Sequence, residues 1–194
     1  MIWNGENGRQ GDNPISASEL GDLIKEMLRS DDSIEAIALT GGEPLVQADF
    51  LATMLSTQSL ITPVLLETNG MLPARLLELL PFVDIISMDM KLPSNTGEKA
   101  FWGEHAEFLR IGRSRELYVK IVVDEATELE DVDHASQLIE SHAPEVPVYL
   151  QPMVTPAGTI GIGSAKLTEI YKTAHKRLKS LQVLPQTHKA MGLQ

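Results

Sequence analysis

The side chains able to do chemistry gather at a few points along the chain: Thr40-Gly41-Gly42-Glu43-Pro44, Glu67-Thr68-Asn69-Gly70, Ser87 to Lys91, Lys120 to Asp124, and Gln151. Paired glycines such as Gly41-Gly42 let a backbone adopt conformations closed to other residues and approach a ligand closely. The carboxylate of Glu43 stands ready to receive an ammonium group, and Pro44 fixes the exit from the turn. Turns use glycine for structural reasons more often than for ligands, and several of these polar residues would serve equally as helix caps. Their recurrence after five successive apolar segments is what points to a binding site. The histidines His105, His134, His142 and His175 lack metal-ligand spacing and read as surface or capping residues. Trp3 and Trp102 are packing or lid residues. No residue takes a catalytic role on sequence grounds, and none forms a metal site.

The elements that must position these groups alternate regularly. Ser16, with Glu19 three residues on, has the spacing of a capping box. Leu20, Leu23, Ile24, Met27 and Leu28 then recur at helical intervals to about Ser30. Strands are predicted over Ile34–Leu39, Pro63–Leu66, Val83–Met90, Leu117–Val123, Val146–Leu150 and Leu181–Leu184. Helices are predicted over Ala48–Ser56, Pro73–Leu80, Lys99–Phe108, Glu128–Ser141 and Ser164–Leu178. Alternation of this kind gives a parallel α/β sheet, and the near-continuous apolar strands imply one covered on both faces or closed into a barrel. The polar groups fall just after the strands, at the carboxyl ends where parallel sheets and barrels bind ligands. With no repeat or linker evident, residues 1–194 are expected to form one domain.

Composition limits the function. The formal net charge of -11 weighs against binding a phosphate backbone, so nucleic acid is not an expected partner. No apolar run approaches the roughly 20 residues of a membrane helix, and residues 1–14 lack the features of a signal peptide. A cytoplasmic protein is expected. The chain contains no cysteine, so it cannot form disulfides or thiolate metal sites of its own.

The succession of TGGEP, ETNG and a strand ending in Asp89 and Lys91 resembles the radical S-adenosylmethionine superfamily. Gln151-Pro152-Met153 and Gln186-Thr187-His188-Lys189, close to the end of the chain, resemble the 7-carboxy-7-deazaguanine synthase family within it. That resemblance implies an incomplete (β/α) barrel of about six parallel strands. It also implies S-adenosylmethionine contacts from Gly41, Gly42, Glu43, Ser87, Asp89, Lys91 and Gln151. A pterin-type substrate would meet Thr40, Glu67, His188 and Gln194. The implied reaction is radical ring contraction of 6-carboxy-5,6,7,8-tetrahydropterin, a carbon–nitrogen lyase step toward 7-deazapurines such as queuosine. A [4Fe-4S] cluster, Mg2+, an electron donor such as flavodoxin or ferredoxin, and a homodimer come with it.

One family feature is absent from the sequence: the CxxxCxxC loop whose thiolates hold the cluster. The expectation is a chain that lacks the first strand and cluster loop and is inactive as it stands. Another radical enzyme of the activating-enzyme type, or a non-catalytic nucleoside-binding barrel, is the alternative.

Overall fold

The computed structural model describes residues 14–57, 61–155 and 159–184. Six strands form one sheet: β1 (Ile37–Leu39), β2 (Val64–Thr68), β3 (Ile85–Met90), β4 (Glu116–Val123), β5 (Val148–Pro152) and β6 (Leu181–Val183). They lie side by side in chain order, and every neighbouring pair is parallel. Seven helices accompany them: α1 (Ala17–Ser30), α2 (Ala48–Ser56), α3 (Pro73–Leu79), α4 (Pro93–Thr96), α5 (Trp102–Gly112), α6 (Leu129–His142) and α7 (Ser164–His175).

Parallel crossovers are almost always right-handed, so a strand order that never reverses sends every crossover helix to the same face. The packing agrees, with α1, α2, α3, α5, α6 and α7 each touching the next in one row. Under this row lie Leu66, Ile86, Met88, Val119, Ile121, Leu150 and their neighbours, all buried. Strand residues of the opposite parity are only half-buried: β2 and β5 alternate strictly between the two classes. The sheet is therefore an open, partial barrel with helices on one face. This is the expected incomplete barrel of six parallel strands; of the two arrangements the apolar strands allowed, cover on both faces is the one not taken, and Glu67, Lys120 and Gln151 interrupt the apolar runs on the uncovered face.

Element limits follow local chemistry. Ser16 caps α1 by accepting from the Glu19 backbone N–H, and the Glu19 carboxylate accepts from the Ser16 N–H in return. Pro73 opens α3 at its first turn, where a missing N–H costs nothing. Helix α5 begins at Trp102, later than predicted, and runs on to Gly112. Three short pieces go unpredicted: 3-10 turns at Pro44–Gln47 and Leu80–Phe82 and the four residues of α4.

Two glycines give opposite expectations. Gly70 has φ +72°, and a Cβ there would meet Met88 Cε at 2.5 Å. At Gly112 an added Cβ would make ordinary contacts, 3.5 Å or more, with Leu117, Ile86 and Phe108. Gly70→Ala is expected to cost more than about 1 kcal/mol, whereas Gly112→Ala is expected to be neutral or stabilising by up to about 1 kcal/mol. Urea unfolding of the two variants would test the contrast.

Candidate functional site

The inner face of the sheet carries the polar groups, and register explains why. Glu67 pairs with Ser87 across β2 and β3, Asp89 with Lys120 across β3 and β4, and Val122 with Gln151 across β4 and β5. Alternation then sets Glu67, Ser87, Asp89, Lys120 and Gln151 on one face. Near the carboxyl ends of the strands a cavity of about 190 Å³ is lined by Thr40, Gly41, Gly42, Glu43, Glu67, Ser87, Asp89, Lys91 and Lys120, with Thr68 and Asn69 beside them. Of the eleven predicted ligand contacts, nine lie among the described residues. Eight line the cavity itself. Gln151 shares the face but does not line the cavity, while His188 and Gln194 lie outside the described residues.

Glu43 is spent on structure more than its sequence context suggests. Its Oε1 accepts from the Leu45 N–H (3.1 Å) and the Thr68 hydroxyl (2.8 Å), and its Oε2 accepts from the Asn69 N–H (2.8 Å). One carboxylate thus caps the 3-10 turn at Pro44–Gln47 and fastens the loop after β1 to the loop after β2. Gly41, at φ +136°, lets the chain reverse ahead of it, and both Gly41 and Gly42 are exposed with open space over their Cα atoms.

A second polar chain crosses the cavity. The Thr40 hydroxyl donates to Glu67 Oε2 (3.1 Å), and Lys120 Nζ stands 3.4 Å from Glu67 Oε1. The sequence groups Lys120 with the strand-end residues and gives it no role. It sits inside β4, with its side chain 19% exposed, and spans β3 to reach Glu67. The signal available was a lone cation within the apolar run LYVKIVV.

Two polar atoms on the cavity floor have no hydrogen-bond partner among the described residues: Ser87 Oγ and Asp89 Oδ1, both buried. Burial raises the Asp89 pKa above its ordinary value; Lys120 and Lys91 oppose the rise, and Glu67 adds to it. His105 carries a third such atom, Nδ1. Its assignment to the surface is corrected: the residue is 2% exposed, because α5 turns it inward under the loop after β2. Burial lowers its pKa, opposed by its bond to Asn69 and by the Glu104 charge. Trp102 packs, half-buried, with its ring stacked on His134 at 4.5 Å and edge-on to His105.

An all-parallel partial barrel with a polar rim at its strand ends is the fold of radical S-adenosylmethionine enzymes. The chain superimposes on a radical SAM methyltransferase from Sphaerobacter thermophilus with a TM-score of 0.63 and 15% identity, covering 88% of this chain and 58% of that one. It superimposes on a domain of pyruvate-formate lyase-activating enzyme from Bacteroides vulgatus with a TM-score of 0.59 and 12% identity, covering 76% of this chain and 98% of that one. At such identities only the fold is shared. No established family profile matches the chain. The 7-carboxy-7-deazaguanine synthase of Geobacter sulfurreducens, however, is 37% identical over 182 residues, 93% of this chain and 73% of its own length. That of Thermococcus kodakarensis is 30% identical over 190 residues, 93% of this chain and 71% of its own length. This chain belongs to the 7-carboxy-7-deazaguanine synthase family.

Removing the Glu43 carboxylate leaves three donors to find new partners. Glu43→Ala is expected to lower stability by about 1–3 kcal/mol, with Glu43→Gln recovering part of the loss, both measured by thermal denaturation. Asp89 predicts the opposite sign. A raised folded pKa means the folded chain holds its proton more tightly, so the contribution of Asp89 is favourable below its ordinary value of 3.8 and is lost as pH rises through the folded pKa. Asp89→Asn is expected to raise the melting temperature at pH 7, measured by thermal denaturation. The gain should vanish in acid; a lower melting temperature at pH 7 would mean the two lysines outweigh burial.

Proposed function

We propose that the rim cavity binds S-adenosylmethionine and that the chain serves the formation of 7-carboxy-7-deazaguanine from a carboxylated tetrahydropterin. The observation that carries the cofactor reading is the pair of buried, unpartnered atoms, Ser87 Oγ and Asp89 Oδ1, on the cavity floor. Buried polar groups are nearly always satisfied, so such a pair is accounted for by a ligand that supplies donors. The ammonium and ribose hydroxyls of S-adenosylmethionine are donors of this kind. Charge agrees: Glu43, Glu67 and Asp89 face Lys91 and Lys120, three carboxylates against two ammoniums. S-adenosylmethionine, with a sulfonium and an ammonium against one carboxylate, carries the complementary single positive charge.

In this reading Gly41 and Gly42 offer backbone groups to the methionine end, with Glu43 holding the turn in shape. Thr40 and Glu67, already joined to Lys120, face the pterin, and Gln151, Lys91, His188 and Gln194 complete the contacts. Family membership supplies the reaction, a radical ring contraction that releases ammonia in 7-deazapurine (queuosine) biosynthesis. The same reading includes a cytoplasmic setting, a homodimer, Mg2+ and a flavodoxin- or ferredoxin-type donor.

The iron–sulfur cluster of that chemistry does not fit the residues present. The chain has no thiolate, and among the described residues no three His, Asp or Glu side chains converge as a metal site. No step through a cluster is therefore derived. This misfit favours one second reading, a nucleoside-binding barrel without radical chemistry.

Titration calorimetry with S-adenosylmethionine separates these ideas. Binding is expected for the wild type, weakened at least tenfold, about 1.4 kcal/mol, by Ser87→Ala or Asp89→Asn. S-adenosylhomocysteine, which lacks the sulfonium charge, should bind less tightly. No binding, or binding indifferent to both substitutions, would remove the cofactor from this cavity. Anaerobic reconstitution with iron and sulfide should give no [4Fe-4S] signal, and such a signal would overturn the argument about ligands.

A further inference from the structure

The loop after β2 is fastened by four hydrogen bonds within itself and to Glu43, and by one from the helix layer. The Thr68 hydroxyl donates to Glu43 and accepts from the Gly70 N–H (3.2 Å). The Asn69 side-chain oxygen accepts from the Met71 N–H (3.0 Å), and the Asn69 N–H goes to Glu43 (2.8 Å). The Asn69 carbonyl has no such partner in its own loop. It meets the ring of His105, which rises from α5 with Nε2 3.2 Å away.

A carbonyl can only accept, so Nε2 must carry the proton. In the neutral ring Nδ1 is then bare. Nδ1 is buried and has no partner among the described residues, so a proton placed there would find none of them to donate to. The Trp102 ring meets the imidazole edge-on at 6.4 Å and limits its rotation. The imidazole is thus held in one tautomer and one orientation by geometry alone.

We infer that His105 is a positioning residue of the rim cavity. From outside the cavity it holds the Asn69 peptide so that the Asn69 N–H and Thr68 hydroxyl fix the Glu43 carboxylate, and through it the Gly41-Gly42 backbone. It touches no ligand. Two hydrogen bonds separate it from Glu43, and the link runs from the helix layer to the mouth of the sheet. The proposal rests on the reading that the Gly41-Gly42-Glu43 turn belongs to a ligand cavity, but its structural core is tested without any ligand.

Nitrogen NMR of the full wild-type chain should show His105 as the Nε2–H tautomer at neutral pH. The Nδ1–H tautomer, or a freely titrating ring, would overturn the proposal. In His105→Leu, amide exchange at Asn69 and Leu45 should quicken at least tenfold while the core amides of β3 and β4 keep their protection. His105→Gln, whose amide N–H can reach the same carbonyl, should restore slow exchange. Unchanged exchange at Asn69 and Leu45 in a folded His105→Leu chain would overturn it as well. S-adenosylmethionine affinity should follow the exchange, falling at least tenfold in His105→Leu and recovering in His105→Gln. If the wild type itself binds no S-adenosylmethionine, the cofactor reading fails while the exchange comparison still decides the role of His105.

Discussion

The handedness of parallel crossovers governs this molecule. Because the strands follow one another without reversal, each crossover helix lands on the same side, and the row from α1 to α7 uses up one face of the sheet. The other face receives no helix from the described residues. Its residues therefore escape the demand for hydrocarbon that makes Leu66, Ile86, Val119 and Leu150 what they are, and every second position is free to be Glu, Ser, Asp, Lys or Gln. The site is the polar residue set of a half-covered sheet, concentrated at the end where the strands hand over to loops.

Within the site, holding and binding are divided between neighbouring carboxylates. Glu43 is almost fully engaged by its own chain and acts as a fastener between two loops. Glu67 is shared between Thr40 and Lys120, and Asp89 keeps one oxygen without any partner. In the sequence Glu43, set within TGGEP, is the most conspicuous of the three acids. Hydrogen-bond accounting reverses the order: the residue with the strongest motif is the most occupied, and the least satisfied residue is the one best prepared for a newcomer.

Much of the architecture was legible because it is written in short-range signals. The Ser16–Glu19 box, Pro73 at the start of α3 and the apolar periodicity of α2 placed those elements to within a residue. The convergence of Thr40, Glu67, Ser87 and Asp89 was legible too, since strand ends of a parallel sheet share one rim. What remained hidden depends on contacts between distant elements. His105 looks like any helical histidine until α5 is packed beneath Asn69, and Lys120 looks like a strand-end charge until β4 is registered against β3. The alternation of β2 and β5 is masked in the sequence because their half-covered positions include Leu65 and Tyr149.

The strand order also has a kinetic meaning. Each strand pairs only with its sequence neighbours, so the sheet can grow by adding one strand–helix unit at a time, each closing a loop of modest length. The rim contacts do not share that locality. Thr40 to Glu67 spans 27 residues, and Glu67 to Lys120 spans 53 residues, two units further along the chain. A growing chain therefore owns a stable sheet before it owns a finished cavity, and Lys120 reaches Glu67 only after β4 has docked. On the proposed reading, a ligand would find its cavity only once β4 is in place, so chains with only the first strands paired would hold hydrophobic structure without competing for the small molecule.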